Sequence, residues 1–260
     1  MLAKKPERAI GLARVLSKLG CCSRSRAAEL IHAGRVRLNG SVRRNPECPV
    51  NMERDQVTVD GNAVEPRQHA YLMMSKPRGL VTTASDEKGR ETVYSLLEGL
   101  GQPWVAPVGR LDKASEGMLL FTNDSEWGAR IASPETHLEK TYHVQISTVA
   151  NEELIRELQR GVSDGDMLRA RSVRLLRSGE KNCWLEIVLD EGRNRQIRRM
   201  METLRIEVLR LVRVAIGPLQ LGTLGKGCVR ALTAEEKLAL DHAMKLKPTH
   251  HKGHSVTQKK

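Results

Sequence analysis

Residues 108–121 read Val-Gly-Arg-Leu-Asp-Lys-Ala-Ser-Glu-Gly-Met-Leu-Leu-Phe, and they restrict the fold more than any other stretch of the chain. The run from Met118 to Phe121 is wholly apolar and of strand length, which predicts a buried strand. Upstream of it, glycines at 109 and 117 bracket a polar loop. Gly109 can take backbone angles closed to other residues and lets another molecule approach the main chain. Within that loop a single aspartate, Asp112, stands between Arg110 and Lys113. An acid on a loop whose exit is anchored in a core is well placed for catalysis. An arbitrary aspartate with basic neighbours is more often half of a surface ion pair, so the rest of the chain must decide between the two.

The length of 260 residues suits two domains, at ~150 residues each, and a hydrophobic content of 40% suffices for packed cores. The net charge of +12 raises the expectation of a polyanionic partner through long-range steering and counterion release. Aromatic residues are only 3%, which argues against a single-strand binder built on rows of stacking rings. The cysteines at 21, 22, 48, 183 and 228 form no C-x-x-C pair, and their odd number suits neither a disulfide framework nor a zinc site. Reduced thiols in a cytoplasmic protein are expected. The basic N-terminus lacks the apolar segment of a signal peptide. No run approaches the ~20 apolar residues that span a bilayer. A polar tail over 247–260, with His250, His251 and His254, is expected to be disordered rather than a metal site.

Two short helices are predicted at the start. The first runs from Arg8, with Leu12, Leu16 and Leu19 on one face and Gly20 as a C-cap. Ser23 caps a second, to about Ala33, with Ala27, Leu30 and Ile31 inward. Val36 and Leu38 then alternate with arginines before Asn39-Gly40, a strong hairpin signal, and Val57 and Val59 form another alternating strand. This unit, 8–60, carries Arg14, Lys18, Arg24, Arg26, Arg35, Arg37, Arg43 and Arg44, many of them away from the apolar face. A charge run is usually a solvated face, but such density on a small module favours a surface that tracks phosphates. The segments Leu12–Gly20, Ser23–Arg26 and Ile31–Gly40 resemble the alpha-L (S-four type) RNA-binding domain. That resemblance implies binding of structured RNA and by itself no reaction.

Residues 61–70, polar and containing Pro66, read as a linker, and 71–246 as a second, larger domain. Strands are expected at Tyr71–Met74, Leu80–Thr83, Met118–Phe121, Lys140–Ile146, Val173–Leu176, Trp184–Leu189 and Val208–Ala215. Helices are expected at Thr92–Leu100, Glu126–Ala132, after Asn151, at Asn194–Leu204, and after a capping box at Thr233–Glu236. Many strands with few intervening helices predict an α+β chain: a small helix-helix-sheet domain, then a mixed, mainly antiparallel β-sheet with flanking helices.

Two further stretches bear on chemistry. Residues 191–200, Glu-Gly-Arg-Asn-Arg-Gln-Ile-Arg-Arg-Met, pack Arg193, Arg195, Arg198 and Arg199 around a strand-to-helix turn. They suit either an exposed basic face with an Arg198–Glu202 pair or a phosphate clamp at a helix N-terminus, where free amides also favour anions. Tyr142 has aliphatic neighbours on its strand and reads either as a core tyrosine or as a ring at a cleft edge, with Lys140 on the same face.

Taken together, Gly109–Asp112 with Ser115–Asp124, Lys76-Pro77-Arg78-Gly79, Glu139–Val144 and Gly192–Met200 resemble the motifs of the pseudouridine synthases, of the rRNA type with an N-terminal alpha-L domain. Met118, where leucine is more usual, and the Cys21-Cys22 pair depart from the pattern without touching its chemistry. The resemblance implies that a uridine in RNA is isomerised to pseudouridine without cofactor or metal. The C1′–N1 bond breaks, the uracil turns, and C1′–C5 forms. It further implies that Asp112 is the catalytic acid, that Arg198 pairs with it and positions it, and that Tyr142 stacks on the base. Arg110, Lys140, Arg193, Arg195 and Arg199 are then expected to contact RNA. An aspartate of ordinary pKa, ~3.9, is ionised at neutral pH, and a guanidinium holds it ionised and oriented. Attack at C1′ and deprotonation of the sugar to a glycal both remain open.

The expected partner is ribosomal RNA or an assembling ribosomal particle, met by a monomer. Residues 193–196 incline the reading to the large subunit, with the small subunit as the alternative. A non-catalytic RNA-binding assembly factor would leave the larger domain without a purpose. An aminoacyl-tRNA synthetase would need an H-I-G-H-like partner to Met74-Ser75-Lys76, and the chain contains none. A glycosidase would need Glu116 as a second free acid beside Asp112.

Overall fold

The computed structural model describes residues 10–65, 68–84, 86–101 and 103–245. The expectations attached to Arg8, Pro66 and the tail over 247–260 lie outside the described residues. The chain opens with β1 (Ile10–Gly11), α1 (Leu12–Lys18), α2 (Arg24–His32), β2 (Val36–Leu38), β3 (Ser41–Val42), β4 (Pro49–Val50), β5 (Val57–Val59) and β6 (Asn62–Ala63). The first helix begins at Leu12 because Ile10 and Gly11 are used in a short ladder with Val50 and Pro49. Ser23 caps α2 as its sequence requires, accepting from the Arg26 amide. Asn39 and Gly40 both take positive φ, the geometry of a tight hairpin turn joining β2 to β3. The four-stranded sheet runs β3-β2-β5-β6, and β6 carries it into the stretch expected as linker. Leu12, Leu16, Ile31 and Val36 are fully buried between helices and sheet.

The larger part contains β7 (Tyr71–Lys76), β8 (Ala106–Val108), β9 (Glu116–Thr122), α3 (Ser125–Ala132), β10 (Lys140–Ile146), α4 (Glu152–Arg160), β11 (Val162–Asp164), β12 (Asp166–Leu168), β13 (Ser172–Ser178), β14 (Cys183–Leu189), α5 (Gln196–Thr203), β15 (Val208–Ile216), β16 (Leu219–Gln220), β17 (Val229–Ala231) and α6 (Ala234–Lys245). A nine-stranded sheet has the order β13-β14-β10-β15-β9-β7-β17, with β16 beside β15 and β8 beside β9. Its pairs are antiparallel except β9–β15, which are parallel and matched only at Glu116–Val212 and Gly117–Arg213. The sheet is therefore mixed and mainly antiparallel, as expected, and consists of two antiparallel halves joined by a short parallel seam. Each half has its own core. Val144, Ile146, Leu185 and Met201 belong to one, and Met73, Met118, Leu120 and Trp127 to the other.

Leu80–Thr83 is not a ladder strand; only Val81 bridges to Thr92. Thr92 caps a short 3-10 turn, Val93–Leu96, in place of a longer helix. At the far end the capping box forms reciprocally: the Thr233 amide donates to Glu236 Oε2 at 2.9 Å, and the Glu236 amide to Thr233 Oγ1 at 3.2 Å. All five cysteines are free. Among the described residues no helix is long and apolar enough to cross a membrane.

Candidate active site

The seam sets the position of the site. β9 is buried along its whole length, so the loop before it, 109–115, is fixed at its C-terminal end by core packing. Gly117 has φ +99°, and a Cβ there would lie 2.2 Å from the Arg213 carbonyl oxygen, so only glycine lets β9 and β15 approach. The loop is also fixed from below. Lys76, fully buried at the end of β7, donates to the carbonyls of Pro77 (3.0 Å), Asp112 (3.2 Å) and Ser115 (2.9 Å). Burial pushes its amine down to about 8, although Asp112 and Glu116 act the other way. The Gly79 amide donates to the Lys113 carbonyl at 2.8 Å, and Thr82 Oγ1 to the Leu111 carbonyl at 2.7 Å. The Lys76–Gly79 turn is thus a clamp on the backbone that presents Asp112. Lys76 and Thr82 were absent from the expected site residues, and the Lys-Pro-Arg-Gly signal was the one trace of them in the sequence.

Asp112 lines a cavity of about 310 Å³ between the two halves of the sheet. Tyr142, Lys140, Arg110, Arg193 and Arg195 line it with Asp112, as does Arg213, which sequence reasoning missed. The apolar walls include Leu189, Ile197, Leu211 and Ile216. Tyr142 is half-buried, opposite Arg213 on β15, and packs both against the core of Val144 and Leu185 and against a second cluster in the other half that holds Leu72, Leu111 and Leu119. It is at once a core tyrosine and a cleft residue. A signal for Arg213 did exist: alternation along β15 places it on the same inward face as Leu211 and Ala215.

Arg198 differs from the expectation. No ion pair within 4.0 Å joins it to Asp112 among the described residues; its Nη2 donates instead to the Ala114 carbonyl at 3.1 Å. Arg198 therefore holds the Asp112 loop through its backbone. Burial and the neighbouring Arg195 press its pKa down, while the charge of Asp112 pulls it up. The Arg198 Nε–H is buried without an acceptor. The alternative Arg198–Glu202 pair does not form among the described residues; Arg195 pairs with Glu202 at 3.0 Å. Arg195 precedes α5 with φ +50° and gives no side-chain cap; the Gln196 amide donates to the Arg193 carbonyl at 3.3 Å, and Gln196 and Ile197 form part of the cavity wall.

The other arginines divide into groups. Arg193 is held by Glu191 at 3.0 Å on the cavity rim. Arg199 is turned away, its Nε donating to Asp164 at 2.6 Å, and ties α5 to the β11–β12 hairpin. In the N-terminal domain Arg14, Lys18 and Arg24 line a groove against the larger domain, together with Trp104 and Ser125. Lys18 crosses it to Glu126 at 2.9 Å. Arg26 pairs with Glu29, Arg35 with Asp60, and Arg37 donates to the Gly40 carbonyl. The glycosidase alternative is removed by Glu116. Burial would raise its pKa, but hydrogen bonds from Arg210 and Lys226 outweigh that and keep it low, so it is an ion-paired carboxylate and not a free second acid.

Chemically, the cavity offers one carboxylate on a rigid loop, an aromatic ring, apolar walls and cations at rim and floor, and it is large enough for a nucleoside. Comparisons with known proteins agree with that character. Residues 10–57 match the S4 domain, and residues 70–203 match the RNA pseudouridylate synthase family. The chain is 36% identical over 228 residues to ribosomal large subunit pseudouridine synthase B of Bacillus subtilis, covering 86% of this chain and 93% of that protein. It is 35% identical over 217 residues to the protein of the same name from Shigella flexneri, covering 81% of this chain and 74% of that one. A crystal structure of a pseudouridylate synthase superposes with a TM-score of 0.62 at 26% identity, over 89% of this chain and 100% of that one. With the family's domain spanning the loop of Asp112, the strand of Tyr142 and the arginine turn, the chain belongs to the RNA pseudouridine synthases.

Proposed function

We infer that the protein converts a specific uridine of large-subunit ribosomal RNA to pseudouridine, with Asp112 as the essential acid. The observation that carries this reading is the convergence of Asp112, Tyr142 and the rim arginines on one nucleoside-sized cavity. The two relatives named for the large subunit support the choice of substrate. The target nucleotide leaves its stack, which costs a few kcal/mol, and enters with its base toward Tyr142. Arg110, Arg193 and Arg195 meet the flanking phosphates. Arg198 keeps the Ala114 carbonyl, and so the loop, in place while the carboxylate acts at the sugar. Base-resolution pseudouridine mapping of both rRNAs in cells lacking the protein tests this. One large-subunit position should lose its modification, regain it with the wild-type protein and stay unmodified with Asp112→Asn. Restoration by Asp112→Asn, or a lost position confined to the small subunit, would overturn the corresponding part.

A further inference from the structure

Arg213 is 6% exposed, yet only its Nε–H has an acceptor among the described residues, the Met118 carbonyl at 2.8 Å. Its Nη2 is buried with no hydrogen-bond partner among the described residues. An unsatisfied buried donor costs ~1–3 kcal/mol, more when charged, so a folded protein keeps one where something else is to fill it. The side chain lines the cavity, as does Lys140, three positions along the β10–β15 ladder, where Tyr142 faces Arg213 and Lys140 faces Ile216. The Lys140 side chain has no hydrogen bond or ion pair among the described residues. Burial pushes its amine down to about 8, Arg213 adds to that, and Asp190 opposes it. Two desolvated cations therefore share one floor.

We propose that Arg213 and Lys140 form the subsite for the uracil carbonyl oxygens and stabilise the base as an anion when the glycosidic bond breaks. The walls around the pair, Leu189, Ile197, Leu211 and Ile216, suit a planar base, whereas a phosphate would shed its hydration there. In the reaction the electron pair of C1′–N1 passes to the uracil and spreads over O2 and O4. C1′ is left either as an ester of Asp112 or, after loss of the 2′ proton, as a glycal. C5 then bonds to C1′, releasing the Asp112 carboxylate from the ester or, on the glycal route, with return of the proton to C2′; the C5 proton leaves to a base, and N1 takes up a proton. Fixed N–H donors aimed at charge that develops only during reaction act on the rate rather than on ground-state affinity.

This inference rests on the Asp112 cavity being the active site, and the experiment separates the two. Single-turnover rates of C1′–N1 cleavage at saturating RNA, a step that precedes the C5 proton loss closed to 5-fluorouridine, and RNA Kd at one salt concentration are measured for wild type, Arg213→Met, Lys140→Met and Asp112→Asn, with uridine or 5-fluorouridine at the target position. Arg213→Met should slow uridine turnover ~10²–10³-fold with little change in Kd. Fluorine withdraws charge from the departing base, so the loss should be ~10-fold smaller on 5-fluorouridine. Lys140→Met, which breaks no hydrogen bond in the structure, should show the same pattern and decides the matter should Arg213→Met fail to fold. Equal losses on both substrates, or weaker binding with an unchanged rate, would overturn the inference. If Asp112→Asn turns over normally, the reading of the cavity fails. If Asp112→Asn is inactive while both cation variants keep the wild-type rate, this inference alone fails.

Discussion

Two lysines of the larger domain have amines pushed down to about 8 by burial, and they differ in what the amine does. Lys76 is committed to three carbonyls beneath the Asp112 loop. Lys140 faces the cavity, with Arg213 on β15 adding to the downward push and Asp190, just after β14, opposing it. The sign of its effect follows directly. Below about 8 the Lys140 ammonium is present, and as pH rises through that value it is lost. The single-turnover rate should therefore fall as pH rises through about 8 in the wild type. An arginine keeps its charge throughout, so Lys140→Arg should flatten that limb of the profile. A limb that persists unchanged in Lys140→Arg would assign the titration to another group. Asp112 lines the cavity with Lys140 and Arg213, and the position of its loop is owed to backbone contacts from Lys76, Gly79, Thr82 and Arg198.

At the scale of elements, the parallel seam does the most. Gly117→Ala would put a Cβ 2.2 Å from the Arg213 carbonyl at φ +99°, so β9 and β15 must part. The expected cost is about 3 kcal/mol in denaturant unfolding, from strain and lost packing together. Turnover should fall too, because the same strands carry Arg213 and the exit of the Asp112 loop. Wild-type stability in Gly117→Ala would mean that the seam adjusts freely. The sequence displayed Gly117 and the apolar run after it, but not the reason for the glycine, which is a single cross-strand neighbour almost a hundred residues later. Local patterns were legible where one segment contains its own answer: Ser23, Asn39-Gly40, the Thr233–Glu236 box and the bounds of Lys140–Ile146. The β11–β12 hairpin was missed although Asp164-Gly165 marks its turn, because its two strands are only three residues each and show no sustained alternation. Leu80–Thr83 looked like a strand because it is apolar and β-branched, yet Leu80 packs into a core and Thr82 ties to Leu111. The family motifs brought Asp112 and Tyr142 together correctly, but they could not show that Arg198 grips the loop through Ala114.

For the whole molecule, the charge of +12 is not spread evenly in its use. Arg26, Arg35 and Arg199 are occupied by acidic neighbours, whereas Arg14 and Arg24 line the inter-domain groove beside Lys18, which reaches Glu126, and Arg110 stands at the cavity. The two sites lie at opposite ends of α3: Ser125 at its start lines the groove, and Ala132 at its end lines the cavity. An eight-residue helix is ~12 Å long, so one RNA can touch both sites at once. On the proposed reading, the N-terminal domain supplies attachment and the cavity supplies chemistry. With roughly six phosphate contacts, log Kd should vary with log salt at a slope magnitude of about 4, on the single-strand coefficient of ~0.7 per phosphate. Replacing Arg14 and Lys18 by alanine removes two of those contacts and should lower the slope magnitude by about 1.4, weakening binding across RNA sequences alike. The single-turnover rate at saturating RNA should stay at the wild-type value, because neither residue reaches the cavity. Lys18 also gives up its 2.9 Å bond to Glu126, so Glu126→Gln serves as the control for domain contact without loss of a cation. If Glu126→Gln reproduces the change in slope, the groove acts by holding the domains together. If only the double alanine variant changes it, Arg14 and Lys18 meet the RNA itself.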